Sequence, residues 1–302
     1  MHILSTIVHK TIWGGEKFAR YVQSGGRQIG HLYSLITEEK MSSVIVNGVY
    51  QGMQFKDYFT QNKERLHLGR YDEFPFVIAL VDAKDDLSIQ VHPDAVIAQK
   101  LENRKTGKNE SWYFLEAPEG RYIYNGCKCQ TTDEVRLAVE DGKIMDIIGR
   151  LKVEKGDYVF VESGTLHACT AGSLIYEIEE NCNITYRFYD YNRTDASGNK
   201  RSLQIKNALL SLKTDKKSKV QKYSDVPIEE FLYSTQFYKG AGEYINKSST
   251  LECLTLLEIG GDVTVDGIVV LPGTTVVLEP KEVFNCSNAE FIVARPRCTD
   301  GY

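Results

Sequence analysis

The sequence predicts a mainly β protein built as two β-barrel modules with a few short helices. Three observations carry that prediction. Most of the chain breaks into short runs rich in β-branched and aromatic residues, each bounded by Gly, Pro, Asp or Asn. Similar runs resume after a Lys/Ser/Asp-rich stretch at 213–226 that reads as a linker. Helical periodicity shows in only three segments. Many short strands with turn signals between them indicate a sandwich or barrel, here divided as 1–212 and 213–302.

In chain order, strands are expected at 74–83, 87–93, 111–117, 121–126, 157–163, 173–180 and 184–191. A helix is expected over 94–103, with Asp94 suited to cap it after His92-Pro93. A second, over 131–148, carries an apolar period through Val135, Leu137, Ala138 and Ile144. A third covers 206–212. Beyond the linker, strands are expected in "EYINKS", "LECLTLLEIG", "DVTVDGIVVLP", "TTVVLE" and "EFIVARP". No repeat of fixed period is visible.

Composition narrows the function. With 42% hydrophobic and 25% charged residues the chain is of soluble globular type. A net charge of −5 and the lack of a basic patch argue against nucleic-acid binding, since phosphate recognition needs a basic excess; "KTDKKSKV" (213–220) reads as a solvated face. The start "MHILSTIVHKTIWGG" resembles neither a signal peptide nor a membrane span. Seven cysteines without paired spacing suit reduced thiols in a cytoplasmic protein, and "CKC" (127–129) fits neither a zinc knuckle nor a redox pair.

The chemistry-bearing residues lie in the first module, because residues 213–302 contain no histidine. In "LSIQVHPD" (87–94) Leu87, Ile89 and Val91 form one face, and Ser88, Gln90 and His92 the other. His167 follows a Ser-Gly turn in "ESGTLHACTAG", on the alternate position to Thr165. Glu110 opens an otherwise aromatic strand, where a carboxylate needs a partner, because burying it unpaired is costly. Gln90, His92, Glu110 and His167 would make a site of two nitrogens and two oxygens that suits one zinc ion, with a charge of about +1 fit for a Lewis acid. The alternative is a set of hydrogen-bonded core residues, and spacing along the chain does not separate the two.

"LSIQVHPD", "GKNESWY" and "GTLHACTAGSLIYEIEENCNITYRFYDYNR", in that order, closely resemble the type I mannose-6-phosphate isomerases in their short bacterial form. The resemblance runs from "TIWGG" (11–15) to about residue 205 and is weak beyond. It implies two cupin (jelly-roll) modules: a metal-binding catalytic one over 1–212 and a cupin-like one over 213–302 without metal ligands. It also implies a cytoplasmic enzyme of carbohydrate metabolism that interconverts mannose 6-phosphate and fructose 6-phosphate through a cis-enediol. One Zn2+ per chain would be held by Gln90, His92, Glu110 and His167. Carried over by motif, Arg187, Lys108 and Glu177 are the active-site arginine, lysine and glutamate, with Lys108 and Glu177 the two candidates for the base. Ser88 and Arg193 match substrate positions, the latter near the sugar phosphate, and Trp13 matches a tryptophan at the pocket edge. The implied partner is a small sugar phosphate, with no nucleic acid and no membrane; the oligomeric state is left open.

Three positions depart from the family pattern: His31 stands where a glutamate is usual, Ala79 where a lysine is usual, and Asn183 where an acid is usual. A lysine at 79 would supply charge toward a phosphate or oxyanion. The departures keep two alternatives in view: a non-catalytic sugar-phosphate-binding or regulatory paralogue, and an isomerase of another sugar phosphate. A third, an iron redox cupin, fits less well, because such sites keep open positions around a 2-His-1-carboxylate set and this set adds a glutamine.

Overall fold

Strand alternation sends the two faces of the segment around Gln90 to different layers. The computed structural model describes residues 1–20, 27–195, 197–259, 263–265 and 267–298. In it Ile89 and Val91 of the strand Ile89–Val91 are buried with Tyr186, Phe188, Val135, Ile144 and Ala208, beneath a layer of helices. Ser88, Gln90 and His92 therefore face the other way, into the space between two sheets. Leu87 precedes the strand and joins the core between the sheets instead of the face of Ile89 and Val91.

The first of these sheets has five strands in the order Ile148–Lys152, Tyr122–Cys127, His167–Ala168, Ile89–Val91, Tyr186–Tyr189. The second has seven, in the order Val220–Lys222, Asp157–Val161, Glu110–Glu116, Leu174–Glu180, Phe76–Asp82, Ile29–Leu35, Ile7–Gly15. Side chains of both fill the interior: Trp13, Tyr33, Ala79, Trp112, Phe114, Val159 and Ile175 from one, Leu87, Ile123 and Cys169 from the other or its flanks. Each large side chain buried there contributes about 1.5–3 kcal/mol. The pairings are antiparallel throughout, as in a jelly roll.

A third sheet of six strands is built mainly from the C-terminal part. Its long strands Tyr233–Ile245 and Val283–Pro296 pair along most of their length. One core cluster of this sheet buries Leu254, Val276, Phe284, Phe291 and Val293. The outer face of the strand Leu174–Glu180, through Tyr176 and Ile178, packs in one core with Tyr233, Cys253 and Ile292. Glu177 and Glu179 consequently point inward.

Several local expectations need correction. The segment 131–148 is two helices, Thr132–Glu140 and Ile144–Ile147, because Gly142 takes a φ of 70° between them. Leu137 is 53% exposed, so it does not belong to the buried stripe. The stretch 213–226 includes a strand, Val220–Lys222, that pairs with Asp157–Val159. At the other end, His2 and Ile3 pair with Val277 and Val276, so strands cross residue 212 in both directions. The helix Phe55–Asn62 was not anticipated, although Phe55, Tyr58 and Phe59 bury one face at helical spacing. Asp94 does cap Ala95–Glu102, accepting from the Ile97 N–H at 2.9 Å. All seven cysteines are free thiols.

Candidate metal centre and active site

Register pairing sets a row of polar side chains across the inner face of the five-stranded sheet. His167 pairs with both Asn125 and Gln90, and Gln90 in turn with Arg187. His92 follows at the end of its strand. Across the interior, Glu110 opens the strand Glu110–Glu116, paired with Val161 on one side and Glu179 on the other. His92 Nε2 lies 3.2 Å from one Glu110 oxygen and His167 Nε2 3.2 Å from the other. All three residues are almost completely buried.

The imidazoles are oriented from behind. The Nδ1–H of His92 donates to the Ile184 carbonyl and that of His167 to the Thr165 carbonyl, each at 2.8 Å. Those bonds fix the tautomer and turn both Nε2 lone pairs toward Glu110, as metal-bound histidines are held. Burial first, then the nearby Lys108, pushes His92 down to about 4, so it is neutral at ordinary pH. His92 Nε2 and Glu110 Oε1 are buried without a hydrogen-bond partner. Two inward lone pairs and an incompletely satisfied carboxylate fit a divalent cation in chemistry and in number. Gln90 lies beside them, its Nε2 3.4 Å from His167 Nε2 and its Oε1 accepting from Ser88 Oγ at 3.0 Å. Turning that amide over would present its oxygen to the centre and leave its nitrogen to donate to Ser88.

Charges crowd around this cluster. Lys108 Nζ is 2.5 Å from Glu179 and 3.6 Å from Glu110, and all three are buried. Burial opposes the ammonium, but Glu179, Glu110 and Glu177 outweigh it and hold Lys108 above its usual range. Burial likewise opposes the Glu110 carboxylate, yet His92 and Lys108 hold it well below its ordinary value. Glu177 is pushed well up, by burial first and then by Glu110 and Glu179. It accepts from the Trp112 indole N–H at 2.9 Å. Arg187 has a buried Nε without a hydrogen-bond partner, and burial followed by Arg201 lowers its affinity for its proton.

Residues 1–116 match the family model described as "Phosphomannose isomerase type I, catalytic domain". By that match, and by the relatives that follow, the chain resembles the type I phosphomannose isomerases. It is 32% identical over 204 residues to mannose-6-phosphate isomerase ManA of Bacillus subtilis, covering 67% of this chain and 65% of that one. It is also 32% identical over 208 residues to the Streptococcus mutans mannose-6-phosphate isomerase, covering 68% and 66%. The alignments thus span just under two thirds of these relatives' own length. The crystal structure of the Bacillus subtilis mannose 6-phosphate isomerase superposes with a TM-score of 0.85 at 24% identity, over 97% of this chain and 99% of that one. The structure described as "a putative mannosephosphate isomerase from Archaeoglobus fulgidus" gives 0.74 at 15%, over 98% of each. These likenesses extend over the C-terminal part, where sequence resemblance is weak, and confirm the cupin-like β architecture.

The other positions matched to the phosphomannose isomerase pattern are placed as follows. Ser88 is buried beside Gln90. Trp13 is 3% exposed, packed into the core between the sheets. Arg193 is tied at 2.5 Å to Asp190 and at 2.6 Å to the Asp86 carbonyl, and lies over the Tyr191 ring. Arg201 grips the same Asp190 through two nitrogens. Of the departures, His31 stacks on Tyr33 at 5.3 Å and meets Trp13 edge-on. Burial, then His9 and Lys108, pushes His31 down to about 3. Ala79 is the register partner of both Tyr33 and Glu177, and Asn183 is exposed. Sequence reasoning missed Glu179. The signal was present: "YEIEE" places Glu177 and Glu179 on one face of a strand whose other face is apolar, the logic that singled out Glu110.

Proposed function

We propose that this protein is a zinc-dependent isomerase interconverting mannose 6-phosphate and fructose 6-phosphate. What supports the reading most is a single arrangement: two imidazole Nε2 atoms set on the two oxygens of one buried carboxylate, with both Nδ1 atoms tied to backbone carbonyls. Gln90, His92, Glu110 and His167 would hold one zinc ion per chain, all four from the first module, 1–212. Zinc bound there supplies Lewis-acid stabilisation of negative charge on the substrate oxygens.

The chain's own residues account for the rest. Glu177 takes the proton from C2 of the open-chain aldose and returns it to C1, while the O2 proton is released and O1 gains one. The route passes through a cis-enediol. Its carboxyl is held in place for this by the Trp112 indole. Lys108, fixed as an ammonium by Glu179, donates to the oxygen where charge develops. Arg187 binds negative charge near Gln90, and Ser88 and Arg193 contact the sugar phosphate. Trp13 backs the pocket wall. Free thiols suit a reducing cytoplasm, and no helix among the described residues is long and apolar enough to cross a membrane.

A coupled assay with mannose 6-phosphate, before and after chelation and after zinc return, tests the proposal. Turnover lost on chelation and restored by zinc is expected. Zinc-loaded protein that converts neither hexose phosphate removes it. Ala79 favours the second reading, a sugar-phosphate-binding paralogue, because it puts a methyl group where the family pattern has a lysine, at the register position between Tyr33 and Glu177. That reading expects mannose 6-phosphate to raise the melting temperature with no product formed.

A further inference from the structure

We infer that Glu179 is a positioning residue that holds the Lys108 ammonium off Glu110, keeping that carboxylate available to the metal ion. The inference rests on the metal site proposed above and adds a residue to it. Lys108 Nζ lies 3.6 Å from Glu110 Oε2, the same oxygen that is 3.2 Å from His92 Nε2. Lysine and metal thus compete for one buried oxygen. In a water-poor interior a free ammonium so close would collapse onto the carboxylate, because little screening opposes the attraction. Glu179 prevents this by taking the ammonium at 2.5 Å, closer than Glu110 holds it.

The fold makes the arrangement rigid. Glu179 is the register partner of Glu110 on the neighbouring strand, so the two carboxylates start side by side. Carboxylate oxygens of Glu110, Glu177 and Glu179 all lie within 4.8 Å of one another, and Lys108 is the cation among them. Glu177 is already engaged by the Trp112 indole, which leaves Glu179 as the strong counter-ion. Without it, the lysine charge would pass to the metal ligand.

The test is zinc affinity, measured on metal-free protein by competition with a chromophoric chelator, alongside metal-free melting temperatures. Glu179→Gln is expected to weaken zinc binding about 10–100-fold, as loss of a group supporting a ligand commonly does. Lys108→Met alone is expected to bind zinc as tightly as the wild type or more tightly, since the competing cation is gone. Adding Lys108→Met to Glu179→Gln should return affinity to within about threefold of the wild type, the non-additivity of two groups in one network. A merely structural Glu179 would give a loss that Lys108→Met does not repair. Unchanged affinity in Glu179→Gln, or no recovery in the double variant, overturns the inference. Two zinc ions per chain would make Glu179 a ligand and overturn it as well. If Glu179→Gln fails to fold, Lys108→Met decides alone, a weakened affinity counting against the inference. A wild-type protein that binds no zinc would instead remove the underlying metal site, which separates the two failures.

Discussion

Replacing Trp112 with Phe isolates one hydrogen bond in the candidate site. The indole is almost completely buried, its N–H donates to Glu177 at 2.9 Å, and its ring lies 5.7 Å from that of His167. Phenylalanine keeps an aromatic ring but has no donor. Glu177 must be ionised to take a proton, and in that form the bond it accepts is one to a charged group, worth about 1.5–3 kcal/mol. At ~1.36 kcal/mol per tenfold in rate, losing it from the proton-transferring carboxyl lowers kcat about 10–150-fold. The smaller ring adds a packing cost of about 1–3 kcal/mol, which a domain stable by ~5–15 kcal/mol survives. KM for mannose 6-phosphate should change little, because Trp112 acts on Glu177 and not on the sugar. A coupled assay for kcat and KM, with urea unfolding on the same samples, reads both costs. Phe114→Leu on the same strand is the packing control: it loses core contact, has no polar atom to remove, and should keep kcat within about threefold. A folded Trp112→Phe protein with near-wild-type kcat, or a Phe114→Leu protein equally impaired, would refute the role given to Glu177.

Two further outcomes concern stability. Glu230, pushed up to about 7 by burial, is harder to ionise folded than unfolded, where it keeps its ordinary 4.5. Its contribution therefore falls as pH rises from about 4.5 to 7, by up to about 3 kcal/mol, and is level above that. Glu230→Gln should accordingly gain stability over the wild type at pH 8 but not at pH 4, measured by urea unfolding; an equal difference at both would contradict the account. Gly164 takes a φ of 88° while its N–H bonds the His92 carbonyl at 2.9 Å, three residues before His167. Gly164→Ala should cost about 1–2 kcal/mol in unfolding free energy and weaken zinc binding, because strain enters the turn that joins the two histidine segments; unchanged stability would show the turn to be more tolerant than its backbone implies.

The site was legible because strand alternation is a strong local rule. "SIQVHP" places Gln90 and His92 on one face whatever the rest of the chain does, and Glu110 stands out in an aromatic strand. Convergence was not legible. Glu110 meets His92 and His167 only because two sheets face each other, and no spacing along the chain encodes that distance. The distant partners of Lys108 and Arg193 were hidden for the same reason: Glu179 lies 71 positions from Lys108, and the Asp86 carbonyl 107 from Arg193. At the level of elements, the apolar period over 131–148 continued across Gly142, so periodicity alone joined two helices that a left-handed glycine separates. The Lys-rich stretch at 213–226 looked unstructured from composition, yet backbone hydrogen bonds to the strand Asp157–Val161 hold part of it in the sheet.

The most direct test of the central claim is the zinc content of purified protein set against that of Glu110→Gln, which swaps the shared carboxylate for an amide of the same shape. One zinc ion per chain in the wild type, and about none in a folded Glu110→Gln protein, is the expected pair of results. Wild-type protein that takes up no zinc from a metal-supplemented buffer, or a variant that holds it as firmly, would contradict the assignment of His92, Glu110 and His167 to a single metal centre.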